Sequence, residues 1–311
     1  MINSETILVT GGGGFIGSAF CNYIVGNLQN KIIILDKMTY ASNLNSLKNI
    51  IKNKNVFFIK GSIGNKNLVK NLLRKYSPQY IVNFAAETHV DNSISNPKDF
   101  IKTNIVDTHQ FLETVLQYYQ KLGKDKCSSF KFLQISTDEV YGDIDIDEKP
   151  VDENSPYKPS SPYSASKAAG DHLVKAYFRT FNFPGLISNC SNNFGPFQHH
   201  EKFVPKIINN ILNGKKIPIY GDGSQIREWI FVDDHCEAVK NLLKYGKIGE
   251  NYNVGSGNEI TNLELVKNIL IVLKTFSLVK TTNVNNYVEF IDDRLGHDKR
   301  YSINSSKIKK L

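Results

Sequence analysis

Four ionisable side chains and one hydroxyl in this sequence of 311 residues have the types and spacing of proton-transfer chemistry. Tyr163 and Lys167 stand at i and i+4, which puts them on one face of a helix. An ammonium beside a phenol lowers its pKa. The phenolate can then take the proton of a hydroxyl as hydride leaves the same carbon. Asp138 and Glu139 follow Thr137 directly beyond an apolar run, Lys131–Ser136. Two adjacent carboxyls there form either a polar loop or an acid and a base acting on one substrate. Removal of water needs both: one group takes a carbon-bound proton and the other protonates the departing hydroxyl. Carboxyls whose surroundings push their pKa values apart suit that division.

The Tyr–Lys spacing alone arises often by chance, so its weight depends on the elements that position it. The first strand, Ile7–Thr10, runs into Gly11-Gly12-Gly13-Gly14-Phe15-Ile16-Gly17, where a helix opens. Both G-x-x-G-x-x-G (Gly11, Gly14, Gly17) and G-x-G-x-x-G are present. Glycines let the backbone approach a pyrophosphate, and the helix N-terminus supplies free N–H groups. A second strand ends in Asp36, 19 residues after Gly17, where an acid binds ribose hydroxyls. That acid would repel a 2′-phosphate, so the expected cofactor is NAD and not NADP. Further strands are expected at Lys31–Asp36, Val56–Ile59, Tyr80–Ala85, Lys131–Ser136 and Gly185–Asn189. Helices are expected at Phe15–Leu28, Asn67–Tyr76, Asp99–Tyr119 and Tyr163–Phe181. Near-continuous apolar strands between helices predict an α/β fold with a doubly wound, Rossmann-type parallel sheet.

From Ser191 the rhythm changes. Residues 192–196 read as a loop, Phe203–Asn213 as a helix, Glu228–Val232 as a strand, Asp234–Tyr245 as a helix, Asn251–Val254 as a strand, and Asn262–Phe276 as a helix. The expected division is an NAD-binding domain over 1–190, with about 228–254 returning to it, and a smaller C-terminal α/β substrate lobe over 191–227 and 255–311.

Composition excludes several classes. Hydrophobic residues are 41% and charged residues 22%, an ordinary globular balance. No apolar run approaches a membrane span, and no basic segment leads into an apolar stretch at the start, so neither a membrane partner nor a secretory signal is expected. The net charge of +8 rests on 33 lysines and only five arginines, with no basic stripe interleaved with aromatics. No nucleic-acid partner is expected from it. Cys21, Cys127, Cys190 and Cys236 are far apart in sequence and read as reduced thiols of a cytoplasmic protein. His199-His200 has no third ligand at suitable spacing, so no metal is expected.

Tyr163–Lys167 with the early glycine turn resembles the extended short-chain dehydrogenase/reductase superfamily. Leu35–Ala41, Ala85–Asp91, Ser136–Gly142, Asn189–Pro196, Gly221–Trp229 and Asp293–Asp298 resemble the motifs of the dTDP-glucose 4,6-dehydratases within it, in the same order. The resemblance implies C4 oxidation of a glucosyl ring with Tyr163 as base, Lys167 supporting it and Thr137 bonding the C4 oxygen. It implies removal of the C5 proton by Glu139, protonation of the C6 hydroxyl by Asp138, and return of the hydride to C6 from an NAD that stays bound. It implies NAD contacts by Gly11, Gly14, Phe15, Ile16, Gly17, Asp36, Lys37, Met38, Thr39, Ser62, Ile63, Ala85, Ala86, Thr103, Tyr163, Lys167 and Asn193. The sugar nucleotide would be held by Thr88, Thr137, Asn192, Lys202, Phe203, Pro218, Tyr220, Arg227, Asn262, Arg294 and His297. Arginine suits a diphosphate because its fork can grip two oxygens; for Arg227 and Arg294 the other reading is a surface ion pair. The helices 99–119 and 163–181 carry much apolar surface, which in this family builds a homodimer; the other reading covers them within one chain.

Three departures from the family pattern stand out. Ser62 stands where the family usually has aspartate, Asn92 where many members have arginine, and the sequence stops at Leu311 without the Leu-Gly-Trp stretch and final helix typical of the family. Rival activities on the same fold remain: a UDP- or CDP-sugar dehydratase, a 4-epimerase or a decarboxylase. A non-catalytic NAD- or RNA-binding protein is the alternative from another class.

Overall fold

A computed structural model describes residues 5–27 and 30–311; Leu28, expected at the end of the first helix, lies outside them. The strands, in chain order, are β1 (Thr6–Thr10), β2 (Lys31–Asp36), β3 (Val56–Lys60), β4 (Tyr80–Asn83), β5 (Lys131–Thr137), β6 (Gly185–Cys190), β7 (Asn192–Phe194), β8 (Ile217–Tyr220), β9 (Ile226–Phe231), β10 (Asn251–Val254), β11 (Glu259–Thr261) and β12 (Val288–Ile291). The helices are α1 (Phe15–Asn27), α2 (Lys66–Tyr76), α3 (Val90–Ser95), α4 (Lys98–Phe100), α5 (Thr108–Tyr119), α6 (Lys124–Ser129), α7 (Pro162–Phe181), α8 (Phe203–Leu212), α9 (Val232–Tyr245) and α10 (Asn262–Thr275).

Seven parallel strands form the main sheet in the order β10-β6-β5-β4-β1-β2-β3. The order reverses between β1 and β4, and open sheets of this kind bind ligands at such a switch point. Side chains of one strand alternate between the two faces. Ile7, Val9, Ile32 and Ile34 pack with Phe20 and Ile24 of α1 and Val239 of α9. Leu8, Ile33 and Leu35 pack with Val69 of α2, Leu112 of α5 and Val174 of α7. Both faces are covered, which is why the strands read as unbroken apolar runs.

The second half builds two small sheets, β11-β9-β7 and β12-β8, around a separate core that includes Ile207, Ile219, Trp229, Val266 and Leu270. β10 joins the edge of the main sheet, whereas β9 pairs with β7 and β11. Residues 192–194, expected as loop, are therefore strand. Their pairing partner, 229–231, lies far along the chain and leaves no local signal. The helix expected over 99–119 is also interrupted: Ile101–Asp107 is π-helical between α4 and α5. The wider turn buries Thr103, Asn104 and Asp107. Asn104 then holds both backbone groups of Glu87, at 2.8 and 3.0 Å, and donates to Ser166 Oγ at 2.9 Å.

Candidate active site

The glycine turn ends β1 at the switch point. Gly11 has φ +68°, and a Cβ there would stand 2.6 Å from the backbone nitrogen of Ala85. A Cβ on Gly17 would collide with the Gly11 carbonyl. Only glycine fits at either position, and the turn delivers the first N–H groups of α1 to the cavity lined by Gly14, Phe15 and Ile16. Asp36 is buried where β2 ends. It accepts from Gly13 N at 2.8 Å, Met38 N at 2.7 Å and Ser42 Oγ at 2.9 Å. Met38, at φ +60°, contributes this backbone bond and is not itself part of the cavity wall. Lys37 bridges Glu87 at 2.7 Å and Thr103 at 3.0 Å. Thr39, Ser62, Ile63, Ala85 and Ala86 continue the same wall. Ser62 Oγ accepts from Gly64 N at 3.1 Å.

These residues line one cavity of about 550 Å³ that runs from the glycine turn to the lobe. A Cβ-free cradle, a helix N-terminus and a carboxylate at the end of β2 are the features a dinucleotide requires, so the residues present fit NAD.

Halfway along the cavity stand the proton-transfer groups. A capping box between Ser161 and Ser164, with Pro162 in the first turn, starts α7, and Tyr163 and Lys167 fall on its buried side. Lys167 Nζ donates to Ile135 O at 2.6 Å. Burial pulls its pKa down, with Asp171 opposing. The phenol of Tyr163 is pushed well up, first by burial and then by the Glu139 carboxylate, while the Thr137 hydroxyl pulls it back. Lys167 thus lies on the expected face, but burial outweighs the lowering of the phenol expected from its ammonium.

Thr137 and Glu139 line the cavity at the end of β5; Asp138 lies just behind them. Thr137 Oγ1 donates to Asp138 Oδ1 at 3.1 Å, and Asp138 Oδ2 is buried without a partner. The two carboxyls differ in their surroundings. Asp138 is pushed well up by burial, then by Glu139 and Glu228. Glu139 is also raised by burial, but Arg227, Arg294 and Lys202 all pull it down. Charge therefore favours the proton on Asp138 and the negative charge on Glu139.

The lobe closes the far end. Arg227 Nη1 and Nη2 donate to the carbonyls of Ile226 (2.8 Å), Lys299 (3.3 Å) and Asp298 (2.8 Å), and the guanidinium lies 4.2 Å from the Tyr301 ring centroid. Arg227 is thus pinned rather than paired at the surface. Arg294 pairs with Asp91 at 3.4 Å. Lys202 donates to Thr88 O at 2.8 Å, and Asn262 to Gln225 Oε1 at 3.4 Å. His297 bonds Asp293 at 2.6 Å, and its ring stands edge-on to Tyr220. Asn192, Phe203 and Pro218 complete this end. Asn193 donates to Ser191 O and is bonded by His235 Nδ1 at 2.9 Å. His89 caps α3 by accepting from Asn92 N at 3.4 Å, and it also faces Glu201.

Sequence reasoning missed Tyr301, and it gave no role to Trp229 and Asp91, the last residues of two motifs; all three line the cavity. Tyr301 donates to Asp298 Oδ2 at 2.6 Å. No short-range pattern marks it, because its stacking partner Arg227 lies 74 positions earlier.

Residues 8–311 match the family model described as GDP-mannose 4,6 dehydratase. The dTDP-glucose 4,6-dehydratase of Haemophilus influenzae is 48% identical over 97% of this chain and 90% of its own length. That of Escherichia coli is 45% identical over 97% and 87%. A crystal structure of dTDP-glucose 4,6-dehydratase from Bacillus anthracis in complex with NAD superposes with a TM-score of 0.87 at 41% identity, covering 99% of this chain and 90% of that one. A UDP-glucuronic acid 4-epimerase from Bacillus cereus, in complex with UDP-glucuronic acid and NAD, superposes at 0.86 with 27% identity over 98% and 92%. Fold is thus shared with epimerases, but identity is much higher to the dehydratases. The chain belongs to the dTDP-glucose 4,6-dehydratase family.

Proposed function

We propose that this chain is an NAD-dependent enzyme that converts dTDP-glucose to dTDP-4-keto-6-deoxyglucose. The observation that carries the reading is the unequal charge around Asp138 and Glu139 beside Tyr163. Tyr163 takes the C4-hydroxyl proton, with Thr137 bonding that oxygen and Lys167 supporting the phenolate. Bound NAD supplies the hydride acceptor for C4 and the hydride donor for C6. The C4 ketone makes the C5 proton acidic, and Glu139, whose negative charge Arg227, Arg294 and Lys202 favour against burial, removes it. Asp138 gives its proton to the departing C6 hydroxyl as water forms, its unpartnered Oδ2 being free to carry that proton. Glu139 then holds a proton to return to C5 as C6 is reduced. A 4-epimerase has no need of this acid–base pair.

On this reading residues 1–190 form the NAD-binding domain, with α9 and β10 of about 228–254 returning to it, and 191–227 and 255–311 form the sugar-nucleotide lobe, which β9 joins by pairing with β7 and β11. Ile101, Val106 and Phe181 are about half exposed on the helical face that includes α7, which supports a homodimer through that face. The cysteines described are all free thiols, in keeping with a cytoplasmic setting. Among the described residues, no helix is long and apolar enough to cross a membrane.

The test is turnover of dTDP-glucose, UDP-glucose and CDP-glucose by the protein as isolated, with no NAD added. We expect the 4-keto product from dTDP-glucose. No product from any of the three, even with stoichiometric NAD, would remove the assignment.

A further inference from the structure

The carboxylate of Asp91 spans the cleft between the main sheet and the lobe. Asp91 lies in the first turn of α3, which follows β4 of the main sheet. Its Oδ2 accepts from the Tyr220 hydroxyl at 3.2 Å, and its Oδ1 stands 3.4 Å from Arg294 Nη1. Tyr220 ends β8 and Arg294 follows β12, so both partners come from the lobe. All three line the cavity. The guanidinium also lies over the Tyr220 ring, 5.9 Å from its centroid, and its Nε is buried without a partner. Arg294 therefore has donors to spare, yet one arm of its fork is engaged by an anion of the protein itself.

That arrangement conflicts with a phosphate ligand. A diphosphate offers paired oxygens that match the guanidinium fork. It cannot approach Arg294 while Asp91 keeps its place without setting two anions side by side in a partly buried cleft. We propose that Asp91 is a positioning residue of the nucleotide subsite: it holds Arg294 and Tyr220 across the cleft before ligand binds, and an incoming diphosphate displaces it. This rests on the reading that Arg294 grips the substrate's diphosphate.

The consequence is an exchange of one anion for another. Part of the Coulomb gain of binding is offset by releasing Asp91, which limits affinity for anything that carries a nucleoside diphosphate. The sugar-nucleotide product, which keeps its diphosphate, leaves faster for the same reason. A purely structural tie would act in the opposite direction: removing it would loosen the lobe and weaken every ligand.

Calorimetric titration of the NAD-loaded protein with thymidine diphosphate and with thymidine separates these cases. The proteins are wild type, Asp91→Asn, Asp91→Ser, Arg294→Ala and the double variant Asp91→Asn/Arg294→Ala. Asparagine keeps an acceptor for Tyr220 and removes only the charge. Both Asp91 variants should bind thymidine diphosphate about five- to tenfold tighter than wild type. Thymidine affinity should not change. Arg294→Ala should bind the diphosphate more weakly, and in its background the gain from Asp91→Asn should vanish. If Arg294→Ala weakens the diphosphate but neither Asp91 variant tightens it, Asp91 is only a structural tie and the proposal fails. Equal tightening of thymidine would also overturn it. If Arg294→Ala leaves the diphosphate unaffected, the subsite reading itself falls and the exchange falls with it.

Discussion

Asp138 and Glu139 are neighbours in sequence, Asp138 buried and Glu139 half-buried in the cavity wall, and they are suited to opposite tasks. Three cations pull Glu139 toward ionisation, whereas Asp138 faces Glu139 and Glu228 with only Arg227 and the Thr137 hydroxyl against them. Glu139→Gln should stop removal of the C5 proton but leave C4 oxidation intact. NADH absorbance should then appear and persist, with overall turnover down about 10²- to 10⁴-fold. Asp138→Asn should still exchange the C5 proton with deuterated solvent but eliminate water slowly. If instead both variants lose C4 oxidation, the division of roles is wrong. The pH profile follows from the same charges. Glu139 must be ionised and Asp138 protonated, so the rate should rise through an acid limb set by Glu139 and fall through a basic limb set by Asp138. Burial places the acid limb above the ordinary glutamate range. Arg227→Gln removes a cation that holds both groups down, so both limbs should move to higher pH. A shift to lower pH would contradict the electrostatic account.

Elements hold these side chains at two points where backbone and buried polar groups meet. Asn104, turned inward by the π-helical segment, ties the chain after β4 to α7 one turn from Tyr163. Asn104→Ala strands the Glu87 backbone groups and should cost about 2–4 kcal/mol of stability in denaturant titrations. A loss within experimental error of zero would mean that the π turn does not depend on this bond set. His235 of α9 is fully buried, and burial lowers its pKa to about 4. The folded value lies below the unfolded one, so its contribution is present above pH about 6.5 and is lost as pH falls toward 4. Thermal stability should fall across that window, and His235→Gln should flatten this part of the curve. An unchanged slope would assign the acid sensitivity to other groups. The parts legible in the sequence share this local character. The glycine turn, the unbroken strands and the Tyr163–Lys167 spacing each depend on residues within a few positions. β7 and the π segment were not legible: one depends on a strand some 37 positions away, and the other keeps an almost helical period while turning its polar residues inward.

At the scale of the whole molecule, the reaction depends on two halves that close one cavity. The contacts across it, Asp91 with Tyr220 and Arg294 among them, join residues more than a hundred positions apart, which is why the sequence assigned roles to Tyr220 and Arg294 but none to the carboxylate between them. In the proposed homodimer, the half-exposed Ile101, Val106 and Phe181 would meet the partner chain. Val106→Glu should convert the homodimer to monomer in sedimentation, and a chain already monomeric before substitution would remove that part of the account. The central claim is that one hydride leaves C4 and returns to C6 of the same sugar on the same NAD. The measurement that tests it most directly is turnover of dTDP-glucose carrying deuterium at C4, with the product analysed by mass and NMR. The account predicts a 4-keto-6-deoxy sugar with that deuterium at C6. Deuterium returned to C4 of an epimerised sugar, or product with none at C6, would contradict it.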